Sequence, residues 1–136
     1  MRKQYHARRV GEDVWIWDVH RLVRLSRDLT PLHLPLRELR ELDRNWWYSD
    51  PESTPTPRSI AAHMVLVRQT DLSHPILLCA EGRLMDGMHR AVKAVLEERD
   101  AIAAVRFPVT PEPDYRNVAL EDLPYPDADL SGPLQG

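Results

Sequence analysis

The 136-residue chain is 43% hydrophobic and 29% charged with a formal net charge of −3, a composition that excludes a disordered, collagenous or coiled-coil protein. No apolar run approaches the ~18 residues of a membrane span, and the basic start (Arg2, Lys3, Arg8, Arg9) lacks the apolar stretch of a secretory leader, so a cytoplasmic location is expected. One cysteine, Cys79, excludes an internal disulfide framework, and no Cys/His cluster has zinc-site spacing, so no metal-ligand set is expected.

Charge and proline divide the chain into three. Residues 1–13 read as a basic N-terminal arm, 14–107 as one compact domain and 108–136 as a proline-rich acidic tail. The first 107 residues carry a net charge of +2; the tail carries −5 and six of the 12 prolines. Proline interrupts helices and central strands, so the tail is expected to be extended, whether packed on the body or mobile. A body so nearly balanced argues against non-specific duplex binding, which needs a concentrated basic face.

Between Val14 and Ser26 the apolar residues Trp15, Trp17, Val19, Val23 and Leu25 alternate, interrupted at Arg21, which predicts a half-buried strand or bent hairpin arm. Pro35 opens a helical pattern over 35–47, with Leu36, Leu39 and Leu42 three apart. Glu38 and Glu41 come early and Arg40 and Arg44 later, as the helix dipole favours. Trp46, Trp47 and Tyr48 run into a loop. Thr56-Pro57 supplies an N-cap and first helical residue for a helix over 57–70, with Ile60, Met64 and Val67 as its buried stripe. The apolar run from Ile76 to Ala80, a two-residue turn at Glu81-Gly82 and the return through Arg83, Leu84 and Met85 predict a hairpin. Met88, Ala91, Val92, Val95 and Leu96 share one face of a helix over 87–99, and residues 101–107 form a last strand. The fold class is therefore α+β, a small mixed β-sheet flanked by helices.

Asp86-Gly87-Met88-His89-Arg90 sits where the hairpin ends and a helix begins. Free backbone N–H groups and the positive end of the helix dipole make such a corner an anion site, and Gly87 permits a sharp turn and a close approach. Two potential cations, His89 and Arg90, in a first turn run against the local preference for acids, which a bound phosphate would explain. The other reading is local. Asp86 is the N-cap, Arg90 pairs with Asp86 or Glu81, and His89 is a solvated or hydrogen-bonded histidine. Spacing alone does not separate the two.

The stretch Ile76-Leu-Leu-Cys-Ala-Glu-Gly-Arg-Leu-Met-Asp-Gly-Met-His-Arg-Ala-Val-Lys-Ala-Val-Leu-Glu-Glu, followed by a strand, resembles the ParB/sulfiredoxin-like superfamily, as does Pro35-Leu36-Arg37-Glu38-Leu39. The resemblance covers residues 14–107 and is most specific over 76–107. It implies that the loop and helix start bind the phosphates of a nucleotide, with Gly87, Met88, His89 and Arg90 lining the site and Asp86 orienting the loop. ATP, ADP or CTP with Mg²⁺ would be the cofactor. Sulfiredoxins need a cysteine where this chain has Met88, so thiol repair is excluded, and Cys79 is expected to be a buried core thiol. Partition ParB proteins carry a Gly-Glu-Arg-Arg type motif and a following DNA-reading domain for which this chain has too few residues. Relatives with an Asp-Gly-His-His-Arg type motif, the nearer variant, phosphorylate free serine. The nuclease label attached to the family finds no clustered carboxylates here to hold two metals.

These readings converge on a phosphate- or nucleotide-binding domain, with Mg²⁺-dependent phosphoryl transfer to a small hydroxylated metabolite as the reaction to test; whether it is catalytic stays open. The alternative is a non-catalytic nucleotide-sensing or protein-interaction module, with a nucleic-acid-associated partition-type protein behind both. Glu38, Glu41 and His89 are the candidates for acid–base roles, since phosphoryl transfer needs a group to orient the nucleophile. Glu38 and Glu41 equally suit a solvated helix face. Trp46, Trp47 and Tyr48 suit either base stacking or core packing. His6, His33, His63 and His74 have no metal-like spacing. A homodimer is left open.

Overall fold

The computed structural model describes residues 4–49 and 53–124. Two small sheets and three helices form an α+β fold. In chain order the elements are β1 (Tyr5–Val10), β2 (Asp13–Asp18), α1 (Val19–Ser26), β3 (Leu32–Pro35), α2 (Pro57–Gln69), β4 (Ile76–Leu78), β5 (Leu84–Asp86), α3 (Met88–Leu96), β6 (Ala101–Arg106) and β7 (Tyr115–Arg116). Short 3-10 turns occupy Leu36–Glu38, Arg40–Asp43 and Leu120–Asp122. One sheet is antiparallel in the order β1-β2-β7. The other has the order β3-β6-β4-β5, with β4 parallel to β6 and its other pairs antiparallel.

The second sheet is covered on both faces. Ile76, Leu78, Leu84, Ile102 and Ala104 meet Met88, Ala91 and Ala94 of α3 together with Leu39. Leu77, Cys79, Met85, Val105 and Phe107 point the other way, into a cluster with Trp17 and Leu22. A strand buried on both faces needs no polar alternation, which is why residues 76–80 read as an unbroken apolar run. Cys79 is buried within this sheet, as expected of a core thiol. The hairpin turn is one residue longer than expected. Cys79 N–H bonds to Arg83 O at 2.8 Å and Gly82 N–H to Cys79 O at 2.9 Å, so Ala80, Glu81 and Gly82 form the loop, with Gly82 at φ +82°.

Three expectations are corrected, and one left open is resolved for the described residues. The alternation from Val14 ends as a strand at Asp18, whose carboxylate accepts from His20 N–H at 2.9 Å and starts α1. Val19 and Leu22, three apart, then carry the buried face. The helix expected over 35–47 is two 3-10 turns after a short strand, broken at Leu39 with φ −89° and ψ 90°. Leucines spaced strictly by three fit the 3-10 repeat, and Leu36, Leu39 and Leu42 all pack on the same core. The described part of the basic segment at the start supplies β1, paired with β2 from Tyr5↔Asp18 to Val10↔Asp13, with Gly11 at φ +63° in the two-residue loop, while Arg2 and Lys3 lie outside the described residues. The part of the acidic tail up to Pro124 is fastened to the body. Trp17 Nε1 donates to Pro111 O at 2.8 Å, Val14 N–H to Asn117 Oδ1 at 2.9 Å and Asp18 N–H to Asp114 Oδ2 at 2.8 Å. The remainder of the tail lies outside the described residues.

The helices expected over 57–70 and 87–99 and the strand over 101–107 form with shifts of at most three residues at their ends, but Ile60 of α2 and Val95 and Leu96 of α3, expected on apolar faces turned to the core, are exposed. Thr56 caps α2 in a reciprocal pair with Ser59. No helix among the described residues is long and apolar enough to cross a membrane.

Candidate functional site

Strand β5 delivers Asp86 to Gly87, which adopts φ +115° before the first turn of α3. A Cβ there would meet Ile76 Cγ2 at 2.5 Å and Arg90 Nη2 at 2.9 Å, so this corner needs glycine for both conformation and space. The pairing allowed by the local reading is the one observed. Arg90 Nη2 donates to Asp86 Oδ2 at 3.1 Å, with side-chain exposures of 6% and 2%. It also reaches Pro75 O at 3.4 Å. Burial outweighs the neighbouring guanidinium and pushes the Asp86 carboxyl up to about 6. Asp86 Oδ1 and Arg90 Nε are buried without a hydrogen-bond partner among the described residues. The guanidinium expected on a bound anion is thus engaged by the carboxylate expected to orient the loop.

His89 turns away from Arg90, toward α2. Its Nε2 lies 2.9 Å from His63 Nδ1, and the indole of Trp47 covers both rings at centroid distances of 4.0 Å to His63 and 5.0 Å to His89. Desolvation lowers the pKa of His63 from its usual 6.5. One ring donates and the other accepts, so the pair shares a single proton between α2 and α3. Tyr48 Oη and Ser59 Oγ, 2.9 Å apart, tie the aromatic segment to α2. Lys93, a turn beyond His89, donates to Thr70 O at 2.7 Å and Arg68 O at 3.2 Å, closing the C-terminus of α2. Met88 is buried in the core. Sequence reasoning missed His63, because nothing local marks a partner 26 residues away.

Two adjoining clefts lie beside this corner. The larger, of about 420 Å³, is lined by Glu38, Arg40, Glu41, Arg44, Glu81, Gly82 and Arg83. The second, of about 170 Å³, is lined mainly by Leu42, Trp46, Trp47, Tyr48, Met88 and Val92, and shares Glu41 and Arg44 with the first. Glu41 is fixed by the sheet edge: its Oε2 accepts from Leu84 N–H at 3.1 Å, while Arg8 Nη2 reaches Leu84 O at 3.4 Å. Edge strand β5 therefore has both polar groups of Leu84 answered by charged side chains. A third, smaller cleft of about 80 Å³ opens on the far side of Trp46, between His6 and the Asp86-Gly87 turn. There the His6 ring is flanked by Trp17 and Trp46 at 5.6 and 5.8 Å. Burial, with Arg8 and Arg83 adding to it, lowers its pKa to about 3.

Of the candidate residues, Glu38, Glu41 and Met88 line the adjoining clefts, as do Trp46, Trp47 and Tyr48. Asp86 and Gly87 face the small third cleft. His89 and Arg90 line none of the three and are held by His63 and Asp86. Arg40, Arg44 and Arg83 were not singled out in the sequence; two arginines followed by a third 39 residues later give no spacing signal. Among the described residues no group of three or more His, Cys, Asp or Glu is placed to hold a metal ion. No protein-family model matches the chain, and neither a curated protein nor a solved structure does.

Proposed function

We propose that this chain is a phosphate- or nucleotide-binding domain of the ParB/sulfiredoxin-like kind, with its ligand lying across the two adjoining clefts rather than on the first turn of α3. The observation that carries this reading is the meeting of Arg40, Arg44 and Arg83, from two distant segments, with an aromatic groove at shared residues Glu41 and Arg44. Guanidinium forks suit phosphate oxygens in paired hydrogen bonds, and indole and phenol rings suit a planar base. The resemblance read from the sequence over 76–107 is what suggests a nucleotide as the phosphate-bearing ligand. The engagement of Arg90 by Asp86 is what moves the ligand away from the motif itself.

The reaction this arrangement suits is phosphoryl transfer to a small hydroxylated metabolite. Glu38 and Glu41 are the carboxylates that would orient a hydroxyl nucleophile or hold Mg²⁺ beside the arginine-bound phosphates. Titration of ATP, ADP and CTP with Mg²⁺, followed by tryptophan fluorescence, tests binding, since Trp46 and Trp47 wall the groove. Arg44→Ala and Arg83→Ala should each weaken binding about tenfold or more, the worth of a charge-assisted hydrogen bond. A flat wild-type titration, or variants that bind as tightly as the wild type, overturns the reading. Turnover of labelled nucleotide with a pool of hydroxylated metabolites then separates an enzyme from a sensor.

A further inference from the structure

We propose that the small cleft between β1, Trp46 and the β5–α3 turn binds a primary ammonium compound. It shares no residue with the arginine cleft and meets the aromatic groove only at Trp46. Its walls include His6, Val19, Trp46, Met85, Asp86 and Gly87, with the less buried Gln4 and Tyr5 beside them, and its volume of about 80 Å³ holds a guest of only a few heavy atoms.

Two of those walls are polar and at least nine-tenths buried, and each carries an atom with no hydrogen-bond partner among the described residues: Asp86 Oδ1 and His6 Nε2. Buried polar atoms are nearly always satisfied, so two orphans on one cleft point to a guest that completes them. Their chemistry selects it. Arg90 donates to Asp86 Oδ2 and the Gly87 N–H also favours the charged carboxyl, while Oδ1 keeps no hydrogen-bond partner among the described residues and can accept from a guest. A carboxylate in the wall repels the anion that a helix start would otherwise attract, and an apolar guest would leave both atoms unanswered. Burial keeps His6 neutral, so its imidazole has one nitrogen able to accept. An ammonium group brings three donors and a positive charge to a carboxylate, an imidazole and an indole, whose aromatic surface also favours a cation.

The test is a titration of the full chain with methylammonium chloride at constant ionic strength, following the Trp46 indole N–H and the Gly87 amide by ¹⁵N–¹H NMR. Saturable shifts at both, with the millimolar affinity appropriate to so small a ligand, are expected. Methanol and acetate of similar size should give none. Asp86→Asn should weaken binding about tenfold or more, the cost of losing a charge-assisted partner. Because that variant also disturbs Arg90, His6→Phe is the second arm; it keeps a ring between Trp17 and Trp46, removes the acceptor, and should weaken binding several-fold. Absence of saturation in the wild type, an equal response to methanol (the sign of a water site only), or unchanged affinity in His6→Phe would overturn the proposal. Arg44→Ala, at a residue that neither lines this cleft nor acts on His6, should leave methylammonium binding intact, so the nucleotide reading and this one fail separately.

Discussion

Replacing Arg90 by methionine removes the guanidinium from a buried pair and keeps most of the side-chain volume. The pair lies at 3.1 Å with both side chains almost fully enclosed, so water cannot take over the lost partner. A buried carboxylate stripped of its counter-charge costs about 3–5 kcal/mol, a large share of the ~5–15 kcal/mol that holds an ordinary domain together. The loss also has a pH signature. Asp86 already titrates at about 6 instead of 3.8, because burial outweighs the attraction of Arg90. A carboxyl raised in this way holds its proton more tightly when folded. Its contribution to stability is complete below pH 3.8, is lost as pH climbs to about 6, and is flat above. At ~1.4 kcal/mol per pKa unit this amounts to about 3 kcal/mol. Without Arg90 the carboxyl titrates higher still, so the decline continues to higher pH. The gap between wild type and Arg90→Met should therefore widen from about pH 5 to about pH 8, read from urea unfolding by tryptophan fluorescence. Adding Asp86→Asn should recover most of the loss, because removing both charges together leaves no unpaired ion. A gap below about 1 kcal/mol at the upper pH, or one that does not change with pH, would refute this account of the corner.

Three further outcomes follow from the same structure. His6, buried neutral with a pKa near 3, contributes stability that is complete above 6.5 and is lost as pH falls toward 3; His6→Phe should flatten the acid limb by up to ~1.4 kcal/mol per pH unit, and an unchanged slope in urea titrations would exonerate the residue. Gly87→Ala, with its Cβ 2.5 Å from Ile76 Cγ2, should lose about 3 kcal/mol or fail to fold, whereas Gly11→Ala, with open space and φ +63°, should lose only about 1 kcal/mol; equal losses in denaturant melts would contradict the steric argument. Asp114→Ala removes the acceptor for Asp18 N–H and Arg21, so it should cost about 1 kcal/mol and speed amide exchange at Asp18; unchanged exchange would mean the tail is not held there.

The elements most legible in the sequence were those whose signals were both local and redundant. α2 announced itself by a cap and a proline, although only Val67 of its expected stripe is buried, and α3 by a glycine turn followed by Met88 and Ala91, although Val95 and Leu96 of its expected face are exposed. The segments that misled had a period with two meanings. Trp15 and Trp17 alternate as a strand, but Val19 and Leu22 continue the apolar count at helical spacing, and only the capping carboxylate of Asp18 marks the change. Leu36, Leu39 and Leu42 repeat by three, which an α-helix tolerates and a 3-10 turn requires. The first strand was masked by its arginines: Arg8 and Arg9 look like a solvated arm until pairing with Trp15 and Val14 is seen. Proline content hid the ordered part of the tail, because its anchors are backbone carbonyls and short polar side chains gripping β2, a long-range fact with no local pattern.

The candidate site shows the same limit more sharply. Asp86 and Arg90 are four apart, a spacing that serves a ligand and a private ion pair equally well, and burial decided the matter: Met88, Ala91 and Ala94 draw α3 so closely onto the sheet that both charges are enclosed together. Glu38 and Glu41 were legible as carboxylates without a destination. Their destination depends on β5 being an edge strand, since the outward-facing carbonyl of Leu84 needs a donor and its amide an acceptor, and Arg8 and Glu41 supply them. Covering that edge brings the 3-10 segment alongside the hairpin turn, and with it Arg40 and Arg44 to Arg83. The arginine cleft is therefore a consequence of how the sheet is closed, and Glu41→Gln, which keeps an acceptor for Leu84, should preserve the cleft while removing the carboxylate from it.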